Sequence, residues 1–242
     1  EKLGQTWSPP TITKVRYGST EKNVMIIGGG YEEGHDTKDE RDGDALGNAV
    51  YIFDADTGAL LWEVSNEDAN LNIAEMQYSI PSRISVIDRD NDGFADHMYV
   101  SDMGGQLFRM DIYNGETGSD FMTGARIADF GGTLKPENRR FYYGADVSEV
   151  ALGDELFYGV AIGSGWRAAP LDTDVNDKFY FLKDKGVFKH DADGHYVFDT
   201  LATESTLYDG TESLLSSSDT NTQAAAIAEL ASKDGWFIRL TT

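Results

Sequence analysis

Short apolar strand signals recur near residues 25, 51, 98, 107, 158 and 180, each closed by Gly or by an Asp/Gly turn. A chain written as strand, short turn, strand and Gly buries its apolar residues only by stacking many small sheets. The 26 Gly against 5 Pro suit that plan, and hydrophobic residues at 40% supply a packed core. The expected class is therefore all-β. Four-stranded units of roughly 40–50 residues are the period of propeller blades. At that size the 242 residues make about five blades, either a small closed propeller or part of a larger ring. Residues 1–242 are taken as a single β-propeller domain.

The individual segments follow the same plan. Ile12–Tyr17 alternates as an outer strand should, and Asn23–Ile27 is a short apolar strand ending in Gly28, Gly29 and Gly30. Those glycines lack the spacing of a dinucleotide loop and no helix signal follows, so tight backbone packing is expected of them. Residues 32–47 are strongly acidic and read as a solvated loop, disordered unless a cation binds. Ala49–Phe53, the turn Asp54–Gly58 and Ala59–Trp62 form a strand–turn–strand unit, with Asp54 and Asp56 as turn residues. Gln106–Ile112 alternates polar and apolar residues, as in a half-buried strand. Weaker strands are expected at 121–130, 140–143 and 148–152, and stronger ones at 156–162, 178–183 and 236–240. The Ala-rich Gln223–Ser232 is the one clear helix, with Asp219 and Thr220 placed to cap it.

One segment carries chemistry. Asp88-Arg89-Asp90-Asn91-Asp92-Gly93-Phe94-Ala95-Asp96 puts carboxylates at positions 1, 3, 5 and 9 with Gly at 6. Hard cations such as Ca²⁺ take six to eight oxygens, and alternate residues of a tight loop can turn inward to supply them. The Phe94 carbonyl, at position 7, is placed to add a backbone oxygen. Tyr99 stands where an EF-hand has its closing Glu, so this is a Ca²⁺ loop between two strands, not an EF-hand. Asp191–Asp199 repeats the acids at positions 1, 3 and 9, with His195 at 5 and Gly194 at 4. It reads as a Gly-containing turn in preference to a second cation site.

Charge and composition narrow the partners. The formal charge is −22, which disfavours nucleic acid and anionic membrane surfaces and favours cations. There is no Cys, so disulfides and thiolate metal sites are excluded. No apolar run approaches the roughly 18 residues of a membrane span, and no secretory leader is recognised. The first residue is Glu1, which is taken as the mark of a processed chain or a fragment of a longer one. His35, His97, His190 and His195 fall in expected loops or turns without a nucleophile motif, so no Ser/His/Asp centre is assigned.

Several segments in order resemble the C-terminal β-propeller domain of the PilY1/PilC family of type IV pilus biogenesis and tip-adhesin proteins. They are Gly28–Tyr31, Gly47–Gly58, Tyr78–Pro81, Asp88–Asp96, Tyr99–Asp111, Gly163–Arg167 and Asp177–Leu182. The resemblance implies a modified quinoprotein-like β-propeller and one Ca²⁺ held by Asp88, Asp90, Asp92, the Phe94 carbonyl and Asp96. It also implies a protein exported through the periplasm to the cell surface or pilus tip. Calcium occupancy would there govern pilus extension and retraction, with pilin, minor pilins and host or abiotic surfaces as partners. The family domain is longer than this chain, and its N-terminal adhesive region has no counterpart here. Two other readings are a quinoprotein dehydrogenase, for which residues 54–62 are also typical, and an integrin-like propeller with several equivalent calcium loops. A binding module, not an enzyme, is the expectation.

Overall fold

The computed structural model describes residues 2–240. It is mostly β, with three sheets and one α-helix. The first sheet runs in chain order through β1 (Thr11–Tyr17), β2 (Thr20–Gly28), β3 (Ala49–Asp54), β4 (Leu60–Ser65) and the two-residue β5 (Leu71–Asn72). The second is β6 (Ser85–Ile87), β7 (His97–Ser101), β8 (Gln106–Ile112) and β9 (Met122–Asp129). The third contains β10 (Asp146–Leu152), β11 (Glu155–Gly163), β12 (Lys178–Asp184), β13 (Tyr208–Asp209) and β14 (Gly235–Arg239), with β14 between β12 and β13. Each is an antiparallel meander, except that β5 and β13 pair parallel at the ends of their sheets. The helix α1 (Thr220–Ser232) covers the expected segment, and the Asp219 side chain accepts the Thr222 N–H at 2.7 Å as its cap. No helix among the described residues is long and apolar enough to cross a membrane.

The sheets stack face to face with the second in the middle. Val24, Ile26, Val50, Ile52, Trp62 and Val64 of the first sheet pack on Met98, Val100, Phe108, Met110 and Ile112 of the second. Tyr99 and Leu107, on the opposite face of the second sheet, pack with Tyr158, Val160, Ile162, Tyr180 and Leu182 of the third. Strand period two explains the division, since neighbours such as Met98 and Tyr99 project from opposite faces. It also corrects the half-buried reading of Gln106–Ile112: all seven residues are buried, because a middle layer has no solvent face.

Other expectations change as well. The described residues form three sheets, not the four-stranded units of five blades, and they close no barrel. Long connections between residues 29–48, 130–145 and 185–207 account for the difference. Residues 140–143 are not a strand: Phe141 N–H donates to the Asp102 carbonyl and the Arg140 carbonyl accepts the Gly165 N–H, both at 3.2 Å, and Phe141 is buried in the second core. The acidic stretch 32–47 is not simply solvated. The Asp44 side chain is out of solvent, with His35 Nε2 at 2.6 Å, the Ser79 N–H at 2.7 Å and Lys38 Nζ at 3.3 Å. His35 and His97 are correspondingly buried, and His97 opens β7 instead of lying in a loop. The three glycines after β2 do pack tightly. A Cβ on Gly28 would lie within 2.4 Å of the Ile80 carbonyl oxygen, and Gly30 holds φ +106°.

Candidate metal centre

The loop Asp88–Asp96 joins β6 to β7, whose antiparallel pairing ends at Ile87 opposite His97. Asn91 and Gly93 adopt φ of +60° and +92°, which winds the chain back on itself within nine residues. At Gly93 a Cβ would meet nothing within 4 Å, so it is the backbone angle, and not space, that favours glycine there. The winding lets main-chain amides reach the acids. Asp88 accepts the N–H groups of Asp92 at 3.2 Å and Gly93 at 2.9 Å. Asp90 accepts Asp92 N–H at 3.1 Å, Asp92 accepts Phe94 N–H at 2.9 Å, and Asp96 accepts Arg89 N–H at 2.8 Å.

The loop is also fastened to the first sheet. Ala95 N–H donates to the Lys14 carbonyl at 2.8 Å, and Asn114 bridges the Ala95 carbonyl and the Arg16 N–H. The Phe94 ring is buried under the Arg16 guanidinium, 4.2 Å from its centroid. The carboxylates are thus carried on a frame set by two sheets.

Asp88, Asp90 and Asp96 each offer an oxygen within 4.8 Å of the others. Two oxygens bound to one Ca²⁺ at roughly 2.3–2.6 Å can be at most about 5 Å apart, so this spacing fits one shared ion. The donor set is all oxygen, as a hard cation requires. Asp92 and Phe94 lie on the same loop but outside that trio, and the Asp92 carboxylate turns back to the Phe94 amide. Asp96 is half-buried, and burial raises its pKa above the ordinary carboxylate value, with the Asp90 and Asp92 charges adding to the rise. Holding all these acids ionised without a cation is therefore unfavourable. Asp90, Asp92 and Asp96 border a cleft of about 670 Å³ shared with Tyr113, Glu116, Asp193 and His195.

The second acidic loop behaves differently. Asp191 accepts the N–H groups of Asp193 and His195, both at 2.9 Å, while Asp199 caps Lys185 and Gly186 at 2.9 and 2.6 Å. The first and last acids are thus committed to different backbone segments, and a His190–Tyr196 bridge closes the turn between them. The stretch is a Gly-containing turn, with Gly194 N–H donating to the Asp191 carbonyl at 3.2 Å. Asp54 likewise belongs to its turn: it accepts the N–H groups of Asp56 and Thr57 and meets Lys22 Nζ at 3.0 Å.

One polar centre was missed in the sequence. Arg109, fully buried in β8, places all its N–H groups. Nε and Nη2 reach Asp111 at 2.9 and 3.0 Å, Nη1 lies 2.8 Å from Asp184, and Nη2 also meets the Val197 carbonyl at 2.8 Å. Tyr99 donates to Asp184 at 2.7 Å, and His97 Nδ1 lies 2.7 Å from Asp111. Burial works against the guanidinium charge, but the two carboxylates outweigh it and raise the Arg109 pKa. The available signal was two opposite charges at alternate positions of a strand whose other residues, Gln106 apart, are apolar.

No family model matches the chain, and no curated protein does. Among solved structures, the C-terminal domain of PilY1 from Pseudomonas aeruginosa matches with a TM-score of 0.58 and 18% identity. The match covers 100% of this chain and 52% of that one, so the chain spans about half the length of the solved domain. At this identity the likeness is one of fold.

Proposed function

We propose that the chain is the calcium-binding, propeller-like part of a type IV pilus-associated protein, presented at the cell surface or pilus tip. The observation that carries the reading is the Asp88, Asp90 and Asp96 trio, drawn within 4.8 Å on a loop anchored to two sheets. The three stacked sheets and the fold likeness to the PilY1 C-terminal domain support a section of propeller and an association with pili. Ca²⁺ would be held by Asp88, Asp90 and Asp96, with Asp92 and the Phe94 carbonyl completing the set after a small turn of the loop. The ion supplies the positive charge that the acids lack. Because the loop is tied to Lys14 and Arg16, an ordered loop also steadies the contact between the first two sheets. In this reading occupancy biases pilus extension against retraction, pilin or minor pilins and external surfaces are the partners, and no chemistry is catalysed.

Calorimetric Ca²⁺ titration of the chain tests the site. The wild type should bind one ion, and Asp88→Ala or Asp96→Ala should lower affinity at least about tenfold, the usual cost of losing a carboxylate ligand. Unchanged affinity in both variants would sink the assignment. The pilus association is tested separately, by binding of the Ca²⁺-loaded and metal-free chain to purified pilin and minor pilins. It fails if neither form binds.

A further inference from the structure

The three sheets treat their outer edges unequally. On β1 the exposed edge is sealed by the neighbouring layer: Ala95 N–H donates to the Lys14 carbonyl, Asn114 accepts the Arg16 N–H, and Gly115 N–H donates to the Arg16 carbonyl, each at 2.8 Å. On β9, Ala202 bonds to both Ile127 and Asp129. β6 is only three residues long, and β5 and β13 are two each. β10 has seven residues and none of these protections.

The register shows which groups are left over. Leu152 pairs with Glu155 across the two-residue turn Gly153-Asp154, so that pair exchanges hydrogen bonds. Stepping back by twos, Val150, Ser148 and Asp146 also bond inward to β11, and Ala151, Glu149 and Val147 direct their N–H and C=O groups outward. Among the described residues no backbone or side-chain partner meets those three outward N–H groups. A bare edge of this length is a template for another strand. Leu152 and Leu156, 61% and 41% exposed, add apolar surface at one end of it.

Charge selects the occupant. Asp146 and Glu149 are exposed on β10 without an ion pair among the described residues, Asp154 follows in the turn, and β10 carries no Lys or Arg. A second copy of the chain would place Glu149 against Glu149 in a symmetric antiparallel pairing, and two bodies of charge −22 repel. We infer that β10 is a docking edge for an extended, lysine- or arginine-bearing segment of a partner polypeptide, added as a further antiparallel strand beside Val147, Glu149 and Ala151. Main-chain bonds supply the attachment, and the partner's cations beside Asp146 and Glu149 set its register. This inference does not depend on a cation in the Asp88 loop.

The probe is a capped heptapeptide of alternating Lys and Val, with alternating Glu and Val as the control, read by amide hydrogen exchange and by fluorescence anisotropy. The Lys peptide should slow exchange at Val147, Glu149 and Ala151 and leave Asp146, Ser148 and Val150, already in the ladder, little changed. The Glu peptide should not bind. Glu149→Pro removes one outward N–H without touching the bonds to β11 and should abolish peptide binding. Should that variant fail to fold, Asp146→Lys with Glu149→Lys serves instead. Asp146 and Glu149 project from opposite faces, so the alternating peptide meets one of them with its lysines; the variant should weaken the Lys peptide severalfold, the reversal of one cross-strand charge pair, and admit the Glu peptide. No slowing at millimolar Lys peptide, equal binding of both peptides, or concentration-dependent slowing of the same amides in the chain alone would each overturn the inference.

Discussion

Asp39, Asp172 and Asp174 gather around Lys135, whose Nζ lies 3.3, 2.8 and 3.2 Å from their carboxylates. Asp88, Asp90 and Asp96 gather as tightly, yet no lysine or arginine pairs with them among the described residues; main-chain amides hold them instead. Both clusters contain three acids at the surface, and they differ in who provides the counter-charge. A lysine on the chain makes its cluster a permanent clip. Amides orient carboxylates without neutralising them, which leaves the second cluster without a side-chain counter-charge among the described residues. Acid count alone therefore does not separate the two clusters; the presence or absence of a side-chain cation among the described residues does.

The interior applies the same rule more severely, and there the comparison can be broken most visibly. Arg109 pairs with both Asp111 and Asp184, and all three side chains are buried. Arg109→Met should cost on the order of 3–5 kcal/mol in urea unfolding, because two carboxylates remain buried without a cation. A loss below about 1 kcal/mol would show that the second and third sheets do not rely on that charge.

Next in size is the effect of supplying the missing ion. At about a hundredfold excess over its dissociation constant, Ca²⁺ should stabilise the chain by roughly 2.7 kcal/mol, removable with chelator. Asp88→Ala should erase that gain, and Asp191→Ala should leave it intact. Equal losses in both variants would remove the distinction drawn between the two acidic loops.

Asp102 illustrates a third solution, a proton. It is wholly buried at the end of β7, and burial pushes its pKa up to about 7, although the N–H groups of Gln106 and Gly104 pull the other way. In the unfolded chain it would titrate in the ordinary carboxylate range. The folded state thus keeps a proton that the unfolded state has already released. The stabilising contribution is full below the ordinary range and is lost as pH rises through about 7. The slope should approach about 1.4 kcal/mol per pH unit at most. Asp102→Asn should flatten it in unfolding midpoints taken across that window; an unchanged slope would assign the titration to another group.

These arrangements were unequally legible in the sequence. The winding of the Asp88–Asp96 loop and its flanking strands could be read directly, since a loop's spacing is local. So could α1 and the strands around residues 51, 98, 158 and 180, where periodicity carries the signal. The number of sheets could not, because the length of connections such as 130–145 is set by what they pack against, as Phe130, Phe141 and Ala145 do in the second core. The pairing of Arg109 with Asp184 was hidden for a related reason, since it joins residues 75 apart in the chain that meet only when the sheets stack. The burial of Asp44 against His35 depends likewise on Ser79, which approaches from another segment.

The smallest expected effect is the sharpest test of the opening contrast. Lys135→Ala removes a partly exposed clip, so stability should change little, as for other surface ion pairs. The acids it leaves are not free to scatter, because Asp172 still accepts the N–H groups of Asp174 at 2.9 Å and Val175 at 3.1 Å. With the lysine gone, Asp39, Asp172 and Asp174 stand in the position of the Asp88 trio, and Ca²⁺ titration should gain a second, weaker binding event. It should be weaker because Asp39 and Asp174 are mostly exposed and less well positioned than Asp88 and Asp96. If one event remains, the missing counter-charge is not enough, and the winding of the Asp88 loop through Asn91 and Gly93 is what separates the two clusters.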